Sequence, residues 1–231
     1  INRMQGVANN IQNAISYLDV QDGVMQGAAS IVSRMAELKA LSQDVLKNSS
    51  DNDNYNREFK NLQVQLFEMG NLTFNGVSMF ANFANDGTEA EFSDMSQNLL
   101  KDNTLSINVS SDGSTGPKVS INKALLLSAL TLEPADLEQQ NPLNLNVWSD
   151  ANTLNTATDR ANDGRYTFAS TTYSGAMDLQ EISVGVFTQA LENLATLRAD
   201  NGGTMSRLQY ASDNATLQAK NFAAANGRIV D

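Results

Sequence analysis

Carboxylate and amide side chains are the groups here that could do chemistry, because the 231-residue sequence has no histidine and no cysteine. Their absence excludes imidazole-dependent triads, thiolate nucleophiles and the usual zinc sites. The run Asp51-Asn52-Asp53-Asn54-Tyr55 is spaced like the start of a calcium loop. An EF-hand needs glycine at position six and glutamate at position twelve. Asn56 and Leu62 stand there instead, so we interpret the run as a polar, helix-capping loop.

The remaining acidic groups do not single out a site. Acidic turns at 86–94 and 159–164 could bind a hard cation, but such turns are usually solvated. A glycosidase needs two carboxylates that face each other across a cleft. With 26 acidic residues some pair is inevitable, and no spacing distinguishes one. We therefore predict no metal site, no cofactor and no enzymatic activity.

Charge and hydropathy exclude further classes. A net charge of −11 argues against nucleic-acid binding, which needs clustered Lys and Arg. No apolar run is long enough for a membrane span, and Ile1-Asn2-Arg3 does not open a signal peptide. A hydrophobic fraction of 41% is typical of globular proteins. The sequence predicts a soluble, acidic, non-catalytic protein.

The elements that could position side chains differ between the flanks and the middle. All three prolines and the single tryptophan, Trp148, lie within 76–177, a segment with five basic and twelve acidic groups. Both flanks lack proline, which permits long helices. Apolar residues at three- and four-residue steps predict helices over about 3–47, over a second segment ending near Gly70, and from Ile182 through Gly202-Gly203. The first stripe comprises Val7, Ile11, Ile15, Leu18, Val24, Ala28, Ile31, Met35, Leu38, Leu41 and Val45.

The middle predicts strands. Residues 104–110 alternate apolar and polar, a turn-forming run follows at 111–116, and a return strand begins at Val119, which predicts a hairpin over 104–122. Residues 165–169 are a further strand candidate. The predicted class is α+β: a long-helix bundle from both chain ends, a β-hairpin and a smaller β-rich inserted outer domain. We assign 1–80 and 178–231 to a helical rod, and 81–177 to the hairpin and inserted domain.

Four segments together resemble bacterial flagellin. Asn71-Leu72-Thr73-Phe74-Asn75-Gly76-Val77 is similar to the family's T-x-F-N-G segment, and Arg34-Met35-Ala36-Glu37-Leu38 to its R-x-x-E-L stretch. Leu197-Arg198-Ala199-Asp200 resembles the L-R-x-D of the C-terminal rod helix, and 227–231 the end of that helix. The resemblance covers about 1–80, 102–132 and 178–231, whereas 82–101 and 133–177 match no family pattern.

The resemblance implies a structural subunit of the extracellular flagellar filament, with other flagellin subunits as partners. It also implies terminal segments beyond this sequence that form the inner tube, so we expect this chain by itself to be monomeric. In the family, residues matching Arg34, Leu38 and Glu58 are recognised by the host Toll-like receptor for flagellin. The alternative for Leu38 is a place in the apolar stripe, and for Arg34 an ordinary solvated contact.

Two alternatives stay open. Residues 163–169 vaguely resemble a segment of the hook–filament junction protein. A flagellin-like surface adhesin or polysaccharide receptor could instead use Trp148, Tyr166 and Tyr173 as platforms for sugar rings. Its ligand could be acidic only if the basic residues of the middle segment converge on one face. These residues are Lys101, Lys118, Lys123, Arg160 and Arg165.

Overall fold

The computed structural model of the protein describes residues 2–81, 104–132 and 166–230. Two helices, α1 (Asn2–Ser42) and α2 (Ser49–Gly70), open the chain. The elements that follow are β1 (Thr73–Phe74), β2 (Val77–Ser78), β3 (Thr104–Asn108), β4 (Lys118–Asn122), the short helix α3 (Leu126–Ala129), β5 (Thr131–Leu132), β6 (Tyr166–Thr167) and α4 (Val184–Val230), with short 3₁₀ turns at Gly113–Thr115 and Leu179–Glu181. The predicted α+β class, with long helices from both flanks and a hairpin, is confirmed.

The rod is built on α1, which packs against both other long helices. It runs antiparallel to α4, because its residues 18 and 22 contact residues 201 and 198 of α4, and its residue 39 contacts residue 179, which lies just before α4. Helix α2 folds back on the other side, where Arg34 contacts Glu58 and Gly27 lies beside Met69. With 41 residues in α1 and 47 in α4, the helices are roughly 60 and 70 Å long.

The first helix ends earlier than predicted. Its last residue is Ser42, whose hydroxyl donates to the carbonyl of Lys39, and a tight turn follows. Val45, assigned to the apolar stripe, is 94% exposed in that turn. The polar run was also expected to be a loop, yet α2 begins at Ser49. Asn48 and Asp51 form a reciprocal capping box, which satisfies free N–H groups at the helix start and lets the following polar residues be helical.

The buried stripe of α1 is offset from the predicted one in the middle of the helix. Met25 and Val32 are fully buried, whereas Val24 and Ile31 are only half-buried. Ala28, Met35 and Leu38 are buried as predicted. Because α1 contacts α2 on one side and α4 on the other, its buried face is wider than the narrow heptad seam that the spacing indicated.

The C-terminal helix continues through Gly202-Gly203, as predicted. Each glycine costs roughly 1 kcal/mol relative to alanine in a helix interior. Neighbouring contacts offset this cost. Asn201 and Thr204 are buried on either side of the pair, and the Asn201 amide donates to the carbonyl of Leu18 across the interface at 2.9 Å.

The predicted hairpin over 104–122 is confirmed. Strands β3 and β4 pair antiparallel, with Leu105 opposite Ile121 and Ile107 opposite Val119. Gly113 adopts a φ of 65° in the connection, which glycine does at little steric cost. Ile121 is buried with the rod helices, so the hairpin shares their core.

The strand predicted over 165–169 ends earlier in the structure. Of its described residues, 166–169, Tyr166 and Thr167 form β6, which pairs with β5. Phe168 follows outside the strand, although its N–H donates to the carbonyl of Leu130, and its side chain is fully buried between Phe59 of α2 and Phe187 of α4. The predicted inserted domain falls largely on 82–103 and 133–165, outside the described residues. Trp148, Lys101, Arg160, Arg165 and both acidic turns lie there too.

Candidate functional site

Arg34 and Glu58, proposed from the sequence as partner-binding residues, form a bidentate pair between α1 and α2. Arg34 Nε lies 2.7 Å from Glu58 Oε1, and Nη2 lies 3.1 Å from Oε2. Glu37 adds a contact of 3.0 Å to Nη1 from the same helix as Arg34. The hydrogen bonds that Arg34 donates to Glu58 are the main cause that raises the pKa of Arg34 above its usual value. The fork geometry fixes the guanidinium plane and leaves 40% of each side chain exposed.

Leu38, the third proposed residue, does not reach this surface. Its side chain is fully buried in the rod core. The structure therefore brings Arg34 and Glu58 together at the surface and places Leu38 beneath it. Arg34 and Glu58 are therefore accessible from solvent, whereas Leu38 contributes to the packing of α1.

A second bidentate pair joins α1 to α4. Arg198, from the L-R-x-D segment, contacts Asp22 with Nε–Oδ1 and Nη2–Oδ2 distances of 3.1 and 3.3 Å. Hydrogen bonding to Asp22 raises the pKa of Arg198. The two arginine pairs thus join α1 to α2 and to α4 at different heights along α1.

Three polar residues hold the segment that enters α4. Gln63, fully buried on α2, donates to the carbonyl of Met177 and accepts from its N–H, both at 2.9 Å. Asn56 accepts from the N–H of Leu179 at 2.8 Å, and Lys39 Nζ donates to the carbonyl of Leu179 at 3.0 Å. Burial lowers the pKa of Lys39. We call Lys39, Asn56 and Gln63 the polar clasp, because they bond main-chain groups of Met177 and Leu179 in the segment before α4.

A cavity of about 450 Å³ lies where β4 leaves the hairpin beside α4. Gln21, Asn201 and Thr204 contribute polar groups, while Lys123 and Arg207 also line it. The Oδ1 of Asn201 is buried without a hydrogen-bond partner among the described residues. Burial also raises the pKa of the neighbouring Asp200. The cavity can offer hydrogen-bond acceptors to a water molecule or a small polar ligand.

Only some of the residues proposed for sugar binding lie within the described part of the chain. The Tyr173 ring has the Lys60 ammonium 5.4 Å from its centroid, a cation–π geometry that occupies one face. Lys123 lines the cavity beside α4, whereas Lys118 is exposed on β4. Because Trp148 lies outside the described residues, the predicted aromatic platform stays a prediction.

Neither a metal cluster nor a membrane span is found in the described parts of the chain. Over 2–81, 104–132 and 166–230, no group of three or more acidic, histidine or cysteine side chains is placed to hold a metal ion. None of the helices there is long and apolar enough to cross a bilayer.

Comparison with solved structures identifies the architecture. The chain is similar to the crystal structure of flagellin from Bacillus cereus over 94% of both chains, with a TM-score of 0.53 and 18% sequence identity. The chain has a flagellin-like fold. No protein-family profile matches the sequence, and no curated protein does. At this identity the similarity establishes the flagellin-like fold, and function needs its own argument.

Sequence reasoning missed the polar clasp of this flagellin-like fold. The available signal was Gln63, a polar residue four positions after Phe59 and three before Leu66, on the face that carries the apolar stripe. Such a position is buried, so its amide must find partners. Which backbone groups would supply them depends on a segment more than a hundred residues away, and no local pattern encodes that.

Proposed function

We propose that this chain is part of a non-catalytic structural subunit of the bacterial flagellar filament, acting outside the cell by stacking against other subunits. The observation that carries the proposal is the similarity to flagellin over 94% of both chains. The T-x-F-N-G, R-x-x-E-L and L-R-x-D segments support it independently, because a similar fold alone does not require these short motifs to occur in the family's order.

The surface of the rod also supports stacking. Val45 and Leu46 are 94% and 88% exposed in the turn after α1, at one end of the rod. An exposed apolar pair in a turn is suited to contact a neighbouring subunit, since burial of each such group is favourable.

Immunoelectron microscopy of the producing bacterium tests the location. An antibody raised against this chain should label filaments along their length. Label confined to the hook–filament boundary would favour the junction protein. Label on the cell envelope alone would contradict the filament role and favour the surface-receptor alternative, which glycan titrations would then address.

A paired variant tests the stacking surface. Val45→Asp/Leu46→Asp in the full-length subunit should leave folding intact, because neither side chain is packed, but should reduce filament length in electron micrographs and swimming. Asn54→Asp, which adds charge at an exposed position of α2, is the matched control. Filaments of normal length from the double variant would show that this end does not contact a neighbour.

The Arg34–Glu58 pair is our proposed contact for the host Toll-like receptor that the resemblance implies. Arg34→Ala should weaken binding of the receptor ectodomain at least about tenfold, as expected for an arginine hot spot. Arg198→Ala removes an equivalent arginine pair elsewhere and should leave binding unchanged. Equal effects of the two variants would mean that loosening of the rod, rather than loss of a contact, is being measured.

A further inference from the structure

Asparagine followed by glycine occurs at Asn75-Gly76, Asn201-Gly202 and Asn226-Gly227. In this dipeptide the backbone nitrogen of glycine can attack the side-chain Cγ of asparagine, since glycine has no Cβ to obstruct the approach. The three sites have the same dipeptide but lie in different secondary structure. Their rates of reaction should therefore differ strongly in the folded chain.

Asn75-Gly76 forms the two-residue turn between β1 and β2. The φ angles are 50° at Asn75 and 79° at Gly76, as in the tight turns that favour Asn-Gly in hairpins. Both residues are exposed, and each flanking strand has only two residues. Opening this turn disrupts few contacts, so the reactive geometry is accessible by a small local motion.

The other two sites lie within α4. There the glycine N–H donates to a carbonyl one turn back, and rotation toward the asparagine side chain would break helical hydrogen bonds. Asn201 is also buried, and its amide nitrogen is bonded to the carbonyl of Leu18. Asn226 is exposed in the last described turns, where helix ends open more readily. The expected order of reactivity is Asn75, then Asn226, then Asn201.

We propose that Asn75 is a site of spontaneous deamidation and backbone isomerisation. The Gly76 nitrogen forms a bond to Asn75 Cγ, and the Cγ–Nδ2 bond breaks. The side-chain nitrogen takes up the Gly76 amide proton and departs as ammonia, and the product is a cyclic imide. Water then opens the ring. Attack at Cγ gives aspartate, whereas attack at the main-chain carbonyl breaks the original peptide bond and gives isoaspartate. No oxidant or reductant is involved.

Isoaspartate changes both charge and chain length at this turn. It adds one backbone carbon between Phe74 and Val77, whose pairing sets the β1–β2 register. The Phe74 ring packs edge-on against Tyr17 at 6.0 Å, and the Tyr17 hydroxyl donates to the carbonyl of Ser78 at 2.9 Å. The modification therefore loosens the contact between this turn and α1. This inference is independent of the proposed function.

Hydroxylamine, which cleaves the cyclic imide, tests the site directly. In the folded chain at mildly alkaline pH we expect fragments 1–75 and 76–231 to form at least about tenfold faster than cleavage at Asn201. In denaturant all three sites should be cleaved at similar rates. Cleavage at Asn75 no faster than at Asn201 in the folded chain would overturn the proposal.

A matched variant tests the structural consequence. Asn75→Gly keeps a turn-compatible dipeptide and removes the reactive amide. After prolonged incubation, the chain with Asn75 should accept methyl groups at position 75 from an isoaspartate methyltransferase. Its Tyr17 should also titrate at lower pH when followed by ultraviolet absorbance. The variant should show neither change. The same Tyr17 drift in both proteins would exclude isomerisation of Asn75 as its cause.

Discussion

The two ends of the rod are built from the same helices but differ in how much side chain they bury. At the three-helix end, where α1 from Met25 onward meets α2 and the start of α4, the rings of Phe59, Phe168 and Phe187 pack edge-on or tilted in a fully buried cluster. At the two-helix end the buried side chains are aliphatic and come from two helices alone: Met4, Val7 and Ile11 of α1, and Leu208 and Ala215 of α4. The helices are continuous along the rod, but we expect substitutions at the three-helix end to lower the free energy of unfolding more than substitutions at the two-helix end. We call this difference the gradient along the rod.

The largest expected effect is at the aromatic cluster. Phe59→Ala should lower the free energy of unfolding by about 3–5 kcal/mol, because it removes a fully buried ring and leaves a cavity. Phe222→Ala, at the two-helix end and half-exposed, should cost below about 1 kcal/mol. Urea denaturation followed by far-ultraviolet circular dichroism measures both. Similar losses in the two variants would refute the gradient.

The polar clasp provides the next largest effect at the three-helix end. Gln63→Ala leaves the N–H and carbonyl of Met177 buried without their partners, which should cost about 2–4 kcal/mol. Gln12→Ala, an exposed glutamine on α1, is the control and should be nearly neutral. Hydrogen exchange at Met177 should accelerate in the first variant alone. Unchanged exchange there would mean that the clasp does not hold the segment.

A pH dependence sharpens the comparison at mid-rod, where Tyr17 meets the β1–β2 turn. Burial raises the pKa of Tyr17 to about 12 from its ordinary value of 10.0. Between these values the unfolded chain loses the proton and the folded chain keeps it, so stability falls as pH rises. Two pKa units correspond to about 2.7 kcal/mol, and because solvent still reaches part of the phenol the expected full loss is about 2 kcal/mol. Tyr17→Phe should remove this fall, and a parallel decline in both proteins would contradict the assignment.

The sequence predicted the long helices and the β3–β4 hairpin because their signals are local. Proline-free flanks, three- and four-residue steps and the 111–116 turn each act within a few residues. The helix end at Ser42 was missed because Val45 continues the apolar spacing although nothing covers it. Leu38 was ambiguous for a similar reason: spacing allowed core or surface, and only packing against the rest of the rod decides.

The charged residues of the candidate site could be named from the sequence, but the contacts between them could not. Arg34 and Glu58 came from a family resemblance, but their bidentate pairing depends on the register of α2 against α1. That register is set by the capped turn at Asn48 and by packing such as Gly27 beside Met69. Likewise, Asp22 and Arg198 are 176 positions apart in the chain, and sequence spacing carries no information on such a contact.

The smallest expected effect is at this second arginine pair. Asp22 and Arg198 are each about a third exposed, so solvent screens the attraction and a double-mutant cycle with Asp22→Asn and Arg198→Gln should give a coupling below about 1 kcal/mol. The coupling should weaken further at high salt. A coupling as large as the effect of Gln63→Ala would mean that charge pairing, rather than burial, holds α4 to α1 beyond the three-helix end. The gradient along the rod would then need an electrostatic origin, because the buried side chains that define it would no longer account for the difference between its ends.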